Sequence, residues 1–215
     1  RGDQRMRPPA FWDNPPQKAG PMALLLTPLA KIYSALTRAR LRGGRRGYRA
    51  TVPVICIGNL NVGGTGKTPT TIALIERLRD AGRNVHVVSR GYGGRITNPS
   101  QVRETVHNAG DVGDEPLLLA AFAPTWVARD RAAGVRAAEI AGAEVILMDD
   151  GFQNPSVIKD LSIVVVDAHR GFGNARVIPA GPLRETVTTG LERADMLLSI
   201  GSDTAQDTFT ALWQH

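Results

Sequence analysis

Short apolar runs and amphipathic stretches take turns along the chain from residue 52 to residue 200. The runs at 52–57, 85–89, 125–128 and 196–200 read as strands, and those at 145–148 and 161–166 are continuously apolar, as in parallel strands buried on both faces. Between them, residues 67–81, 114–122, 131–141 and 183–193 read as helices. In the first of these Ile72, Leu74, Ile75 and Leu78 are apolar and Gly82 supplies the stop. This alternation predicts an α/β fold, a mostly parallel sheet with helices on both faces.

Upstream the pattern changes. Residues 1–21 are rich in Pro, Gly and charge and predict irregular structure, with Phe11 and Trp12 as apolar exceptions and Met6 as a candidate start. From Met22 to Leu36 the chain is apolar but broken by Pro28 and Lys31, too short for the roughly 20 apolar residues of a spanning helix. Leu25, Leu29, Ile32, Tyr33 and Leu36 fall on one helical face, and Arg38, Arg40, Arg42, Arg45, Arg46 and Arg49 follow. An apolar face followed by arginines suits a helix lying in the headgroup layer over anionic lipid. A helix packed on the core with a solvated basic tail is the alternative. The division expected is a membrane-associating segment at 1–50 and a core at 51–215.

Composition narrows the choices. With 215 residues and 42% hydrophobic content the chain can bury the core of one large domain. Aromatics at 5% are too few for a platform on which single-stranded nucleic acid stacks, although the net charge is +6. The single Cys56 lies inside the first strand, which excludes a disulfide framework and reads as a core thiol.

Residues 61–68 read N-V-G-G-T-G-K-T, directly after that strand. The backbone N–H groups of Asn61, Val62, Gly63, Gly64, Thr65 and Gly66 can turn inward around a row of phosphates. Lys67 adds charge at the β- and γ-phosphates and Thr68 offers a hydroxyl to Mg²⁺. The helix that follows aims its positive end at the same anion. Asn61 stands where the usual pattern has Gly, and Asn tolerates a left-handed backbone. These features predict a nucleoside triphosphate, a metal and a P-loop NTPase-like architecture. A glycine-rich turn with a surface lysine is the plainer alternative.

Ligands of parallel sheets bind beyond the carboxyl ends of the strands. After residues 145–148 come Asp149 and Asp150, then Gly151, Phe152 and Gln153. Adjacent carboxylates repel and need a cation or basic partners, and an apolar strand ending in acid is where such proteins hold Mg²⁺. An Asp-Asp-Gly turn is the alternative. After residues 85–89, Arg90 can reach a phosphate and Tyr92 can line a sugar site among Gly91, Gly93 and Gly94, although a flexible turn fits as well. Asp114 opens a helix either as its cap or as a base taking a hydroxyl proton, with Glu115 beside it. Arg184 and Glu185 open the helix at 183–193, either as a first-turn pair or with Arg184 facing a phosphate. His86, His107, His169 and His215 show no metal-ligand spacing.

Taken together, residues 53–69 (PVICIGNLNVGGTGKTP), 88–94 (VSRGYGG), 109–116 (AGDVGDEP), 149–153 (DDGFQ) and 172–185 (FGNARVIPAGPLRE) resemble the tetraacyldisaccharide 4′-kinase family. The resemblance implies transfer of phosphate from ATP, with Mg²⁺, to the 4′-hydroxyl of an acylated glucosamine disaccharide 1-phosphate. It implies a peripheral enzyme at the cytoplasmic face of the bacterial inner membrane, touching anionic lipid and no nucleic acid. It makes residues 61–68 the ATP site, with Lys67 on the phosphates, and groups Thr68, Asp149, Asp150 and Gln153 about the metal. Asp114 becomes the catalytic base, and Arg90, Tyr92, Glu115, Arg184 and Glu185 surround the acceptor. Two departures stand out: Asn154 replaces a common histidine, and no match to the family's C-terminal histidine motif precedes His215. The tail at 202–215 looks unlike the family, so the chain reads as C-terminally truncated. The competing reading is an ATPase or GTPase switch of the partitioning or metal-delivery type. Against it, Val62 stands where the partitioning branch has Lys, and no Asn-Lys-x-Asp motif occurs.

Overall fold

The computed structural model describes residues 8–42 and 47–213. Met6, Arg45, Arg46 and His215 lie outside the described residues. The first long element, α1 (Pro21–Arg42), runs unbroken through Pro28. Proline forfeits one i→i−4 bond, and the position it affects, Leu24, is exposed. The helix rests on the core through Ala23, Leu26 and Ala30. Leu25, Leu29, Ile32, Tyr33 and Leu36, the predicted apolar face, point outward with exposures of 38 to 73%. Packing of that face on the core is therefore excluded.

Beyond α1 the chain alternates as predicted: β1 (Val54–Gly58), α2 (Lys67–Asp80), β2 (Val85–Ser89), a two-residue strand β3 (Ser100–Gln101), α3 (Ala109–Val112), α4 (Asp114–Ala120), β4 (Thr125–Val127), α5 (Arg131–Ile140), β5 (Val145–Asp149), β6 (Leu161–Asp167), α6 (Val187–Leu191), β7 (Met196–Ile200) and α7 (Asp203–Trp213). The strands form one sheet in the order β3-β4-β2-β5-β1-β6-β7, parallel except for β3. Helices cover both faces. Ala132, Val135 and Ala138 of α5 pack on one side with Ala205 and Phe209 of α7. Ile75 of α2 and Leu119 of α4 pack on the other. Cys56 is fully buried in β1, and burial pushes its thiol up to about 12.

Two expectations need revising, and the tail adds an element that was not anticipated. The stretch 183–193 is helical only over α6; Arg184 and Glu185 lie in an irregular segment ahead of it, their side chains bonded across the fold to Asp150 and Gln153. The tail forms α7, whose Phe209 and Trp213 close on Phe172 at 5.9 and 4.9 Å between ring centroids. The irregular N-terminus contributes two 3-10 turns at Ala10–Asp13 and Pro16–Lys18.

Candidate functional site

The sheet order determines what meets at the site. β5 pairs directly with β1, and Ile57 lies level with Asp149, so the acids at the end of β5 stand beside the loop leaving β1. That loop turns on Gly63 (φ 113°) and Gly66 (φ 86°), and Gly66 is the N-cap of α2. Asn61 needs no left-handed backbone after all. It forms a bridge with Leu183, and its side chain donates to the Gly171 carbonyl at 3.0 Å. The Val62 amide is also committed, to Pro182 at 2.8 Å. Among the described residues, none accepts a hydrogen bond from the amides of Gly63, Gly64, Thr65 or Gly66. These four N–H groups are thus free to bind an anion. The Asn59 side chain steadies the loop from below, donating to the Gly63 carbonyl at 3.2 Å and to Thr65 Oγ1 at 3.1 Å.

Lys67 is buried in the first turn of α2, its Nζ 3.6 Å from Asp150 Oδ1. Arg184 Nη1 donates to both oxygens of that carboxylate, at 3.0 and 3.1 Å. Asp150 holds φ 51°, a costly conformation for a residue with a side chain, at the end of a strand where ligands bind. Burial alone would raise its pKa, but Arg184, Lys67 and Arg131 outweigh burial and hold the carboxyl below its usual range.

Asp149 is different. It is 1% exposed, Ser89 Oγ donates to its Oδ2 at 3.2 Å, and among the described residues its Oδ1 has no partner. Burial first, then the negative charges of Glu115 and Asp150, push its carboxyl from 3.8 up to about 6. One acid of the pair is therefore neutralised by protein cations, while the other is left wanting one.

Gln153, expected beside the metal, spends both ends of its amide on protein. It donates to the Asn59 carbonyl at 2.8 Å and to Glu185 at 3.1 Å, and accepts from Arg184 at 3.4 Å. It ties the acidic turn to Asn59 and Glu185. Glu185 is buried against Arg193 at 2.6 Å, and the Arg193 guanidinium covers the Phe152 ring at 4.4 Å. Asp114 is exposed in the first turn of α4, whose N-cap is Gly113 without a side-chain cap bond, so the capping alternative for Asp114 falls away. Tyr92 is 86% exposed and Thr68 half-buried.

Arg90 faces a cleft of about 350 Å³ with Arg40, Arg129, Arg131, Asp150 and Arg184. Five guanidinium groups around one carboxylate form a strongly anion-attracting wall. Neither Arg129 nor Arg131 stands out in the sequence. Arg131 opens α5, is 3% exposed and donates to the Ala128 carbonyl at 2.8 Å, and burial pushes its pKa down to about 10. Its place just after β4 was the signal. Arg40 was read as part of a charge run, whereas it donates to the Gln153 carbonyl at 3.2 Å. Among the described residues no cluster of three or more His, Cys, Asp or Glu side chains could hold a metal by itself.

The family model for tetraacyldisaccharide-1-P 4′-kinase matches residues 22–214. The chain belongs to this 4′-kinase family. Its tetraacyldisaccharide 4′-kinase relative from Dinoroseobacter shibae is 62% identical over 97% of the chain, and that from Jannaschia sp. 61% identical over 97%. The chain spans about three fifths of the length of these relatives, 61 and 62%. The crystal structure of Aquifex aeolicus LpxK in complex with ATP superimposes with a TM-score of 0.77 at 29% identity, over 86% of this chain and 61% of that one. The 4′-kinase match runs to residue 214 and so includes the tail, which overturns the reading of residues 202–215 as unlike the family. Phe209 and Trp213 of that tail pack on Phe172, inside one of the quoted motifs.

Proposed function

We propose that this chain binds ATP and phosphorylates the 4′-hydroxyl of an acylated glucosamine disaccharide 1-phosphate, as a lipid A 4′-kinase. The observation that carries the reading is the meeting of Lys67, Asp150 and Arg184 within 3.6 Å at the mouth of a loop with free amides. Phosphoryl transfer is mostly positioning plus charge stabilisation. The amides of Gly63, Gly64, Thr65 and Gly66 and the Lys67 ammonium cradle the β- and γ-phosphates. Arg184 is drawn from Asp150 towards the transferred group's negative charge. Asp114 accepts the proton of the acceptor hydroxyl, with Glu115 beside it, and Arg90 with the other cleft arginines holds the phosphorylated sugar against Tyr92.

Mg²⁺ fits this site on one observation: Asp149 Oδ1 is buried without a partner. Asp149 and the Thr68 hydroxyl would hold the ion, with nucleotide oxygens completing its shell. When bound, it supplies positive charge to the β- and γ-phosphate oxygens. The test is transfer from ATP to a tetraacyldisaccharide 1-phosphate in a single turnover, with GTP as competitor. Formation of 4′-phosphate resisting excess GTP supports the kinase, and tight GTP preference without transfer supports the switch-type reading.

The outward row Leu25, Leu29, Ile32 and Leu36 supports peripheral contact with an anionic inner-membrane surface at the cytoplasmic face. Among the described residues no helix is long and apolar enough to cross a membrane. Each of these side chains contributes about 1.5–3 kcal/mol when fully buried. Leu29→Asp with Ile32→Asp is therefore expected to reduce flotation with anionic liposomes at least tenfold without lowering the melting temperature. Unchanged lipid recovery would refute the lipid contact.

A further inference from the structure

The stretch ahead of α1 contributes no group to the proposed chemistry, yet it is bonded to the segment that frames the phosphate loop. The Trp12 indole Nε1 donates to the Pro179 carbonyl at 3.1 Å, and the Trp12 carbonyl accepts from the Asn174 amide at 2.9 Å. Asn174 is 1% exposed, and its side chain donates to the carbonyls of Phe11 at 3.1 Å and Ala180 at 2.9 Å. Gly173, at φ 55°, lies so close that a Cβ there would come within 2.4 Å of the Trp12 carbonyl oxygen. Asp13 pairs with Arg170 at 2.9 Å. These contacts fasten residues 11–13 to residues 170–180.

The same segment fastens the phosphate loop from its far side. Gly171 accepts from the Asn61 side chain at 3.0 Å, and Pro182 accepts from the Val62 amide at 2.8 Å. Trp12 and Asp13 also wall a crevice with Val62, Gly64 and Thr65 that has only about 10 Å³ of free space. The glycines need this support. A Cβ at Gly63 or Gly64 would meet no atom within 4 Å, so the outer side of the loop's tip is open. Fixing a free backbone costs about 1–2 kcal/mol per residue, and a loop ordered beforehand spares the ligand that cost.

We propose that Trp12 and Asn174 are positioning residues for the phosphate loop. Residues 8–18 brace residues 171–182, and these hold Asn61 and Val62, from which the glycines spring. The inference rests on the nucleotide reading above and extends it to a part of the chain that touches no phosphate.

The test uses the full chain and its Trp12→Ala and Trp12→Phe variants, with ATP titrated by calorimetry and hydrogen exchange followed without nucleotide. Trp12→Ala is expected to weaken ATP binding about tenfold, and Trp12→Phe, which keeps the ring and the main-chain bond, about threefold. Exchange at the Val62 and Arg184 amides, bonded to Pro182 and Leu60, should quicken in Trp12→Ala while β2 and β5 keep the parent's protection. ATP affinity within twofold of the parent, with unchanged exchange at Val62, would overturn the proposal. So would faster exchange spread evenly over the sheet, the sign of general loosening. If Trp12→Ala does not fold, Trp12→Phe decides by the same two readouts. Failure of the parent to bind ATP would overturn the proposed function, and exchange at Val62 would still decide the brace.

Discussion

Replacing Asp114 with Ala is expected to slow single-turnover 4′-phosphate formation by about 10²–10⁴-fold, with ATP affinity within about twofold of the parent. The expectation follows from where this carboxylate stands. It lies exposed in the first turn of α4 and caps nothing, since Gly113 is the N-cap. Its neighbour Glu115 is near enough to Asp149 to raise that carboxyl, so the end of α4 opens towards the acidic end of β5. On the proposed function, a carboxylate so placed would serve the acceptor and leave the nucleotide's phosphates to other groups. Lys67→Ala should do the reverse and weaken ATP binding by at least about tenfold, because a buried ammonium at the loop's mouth is lost. Calorimetric titration beside rapid-quench transfer separates the two effects. An equal loss of nucleotide binding in both variants would remove the base assignment.

Asp149→Asn is expected to stabilise the metal-free chain near neutral pH by about 3 kcal/mol. The direction follows from burial. The folded-state value, raised from 3.8 to about 6, lies above that of the unfolded chain. The stability carried by the protonated carboxyl is complete below about pH 4. It is lost as pH rises through about 6, when a buried charge without a cation must form. Urea titrations from pH 4 to 7.5 should show the parent losing stability across this window and the variant much less affected. Added Mg²⁺ should recover stability in the parent above pH 6 and do nothing for the asparagine variant. A parent curve flat between pH 4 and 7, or a variant that still gains from Mg²⁺, would show that this carboxylate is already compensated by the protein.

Much of this arrangement was legible in the chain because local rules govern it. The apolar runs became β1, β2, β5 and β6, and the glycines of the phosphate loop stand at the head of α2 as the motif requires. What could not be read was adjacency. Nothing in residues 52–58 says that β5, and not β2, lies beside β1, and that choice alone brings Asp149 to the loop. The same limit explains Arg184 and Glu185. Their spacing suited a helical first turn, but Asp150 bonds Arg184 and Gln153 bonds Glu185 from elsewhere in the fold. Arg131 and Arg40 were visible only as a helix start and a charge run, because the value of a guanidinium depends on what faces it. The helix α7 did leave a trace, with Ala205, Phe209 and Trp213 four residues apart, among polar neighbours that weakened the signal.

The base of the phosphate loop is closed off by Ile200 of β7. Gly66 has no room for a side chain: a Cβ there would come within 2.7 Å of Ile200 Cδ1, at the end of β7. Its cradle comes from residues near 60, its counter-charges from Asp149, Asp150 and Arg184, and its lining from Ile200. Such distant pairings form slowly, after long loops have closed. During synthesis, then, the glycine-rich segment leaves the ribosome well before its partners do, and the surroundings of the loop stay unfinished until β7 has emerged.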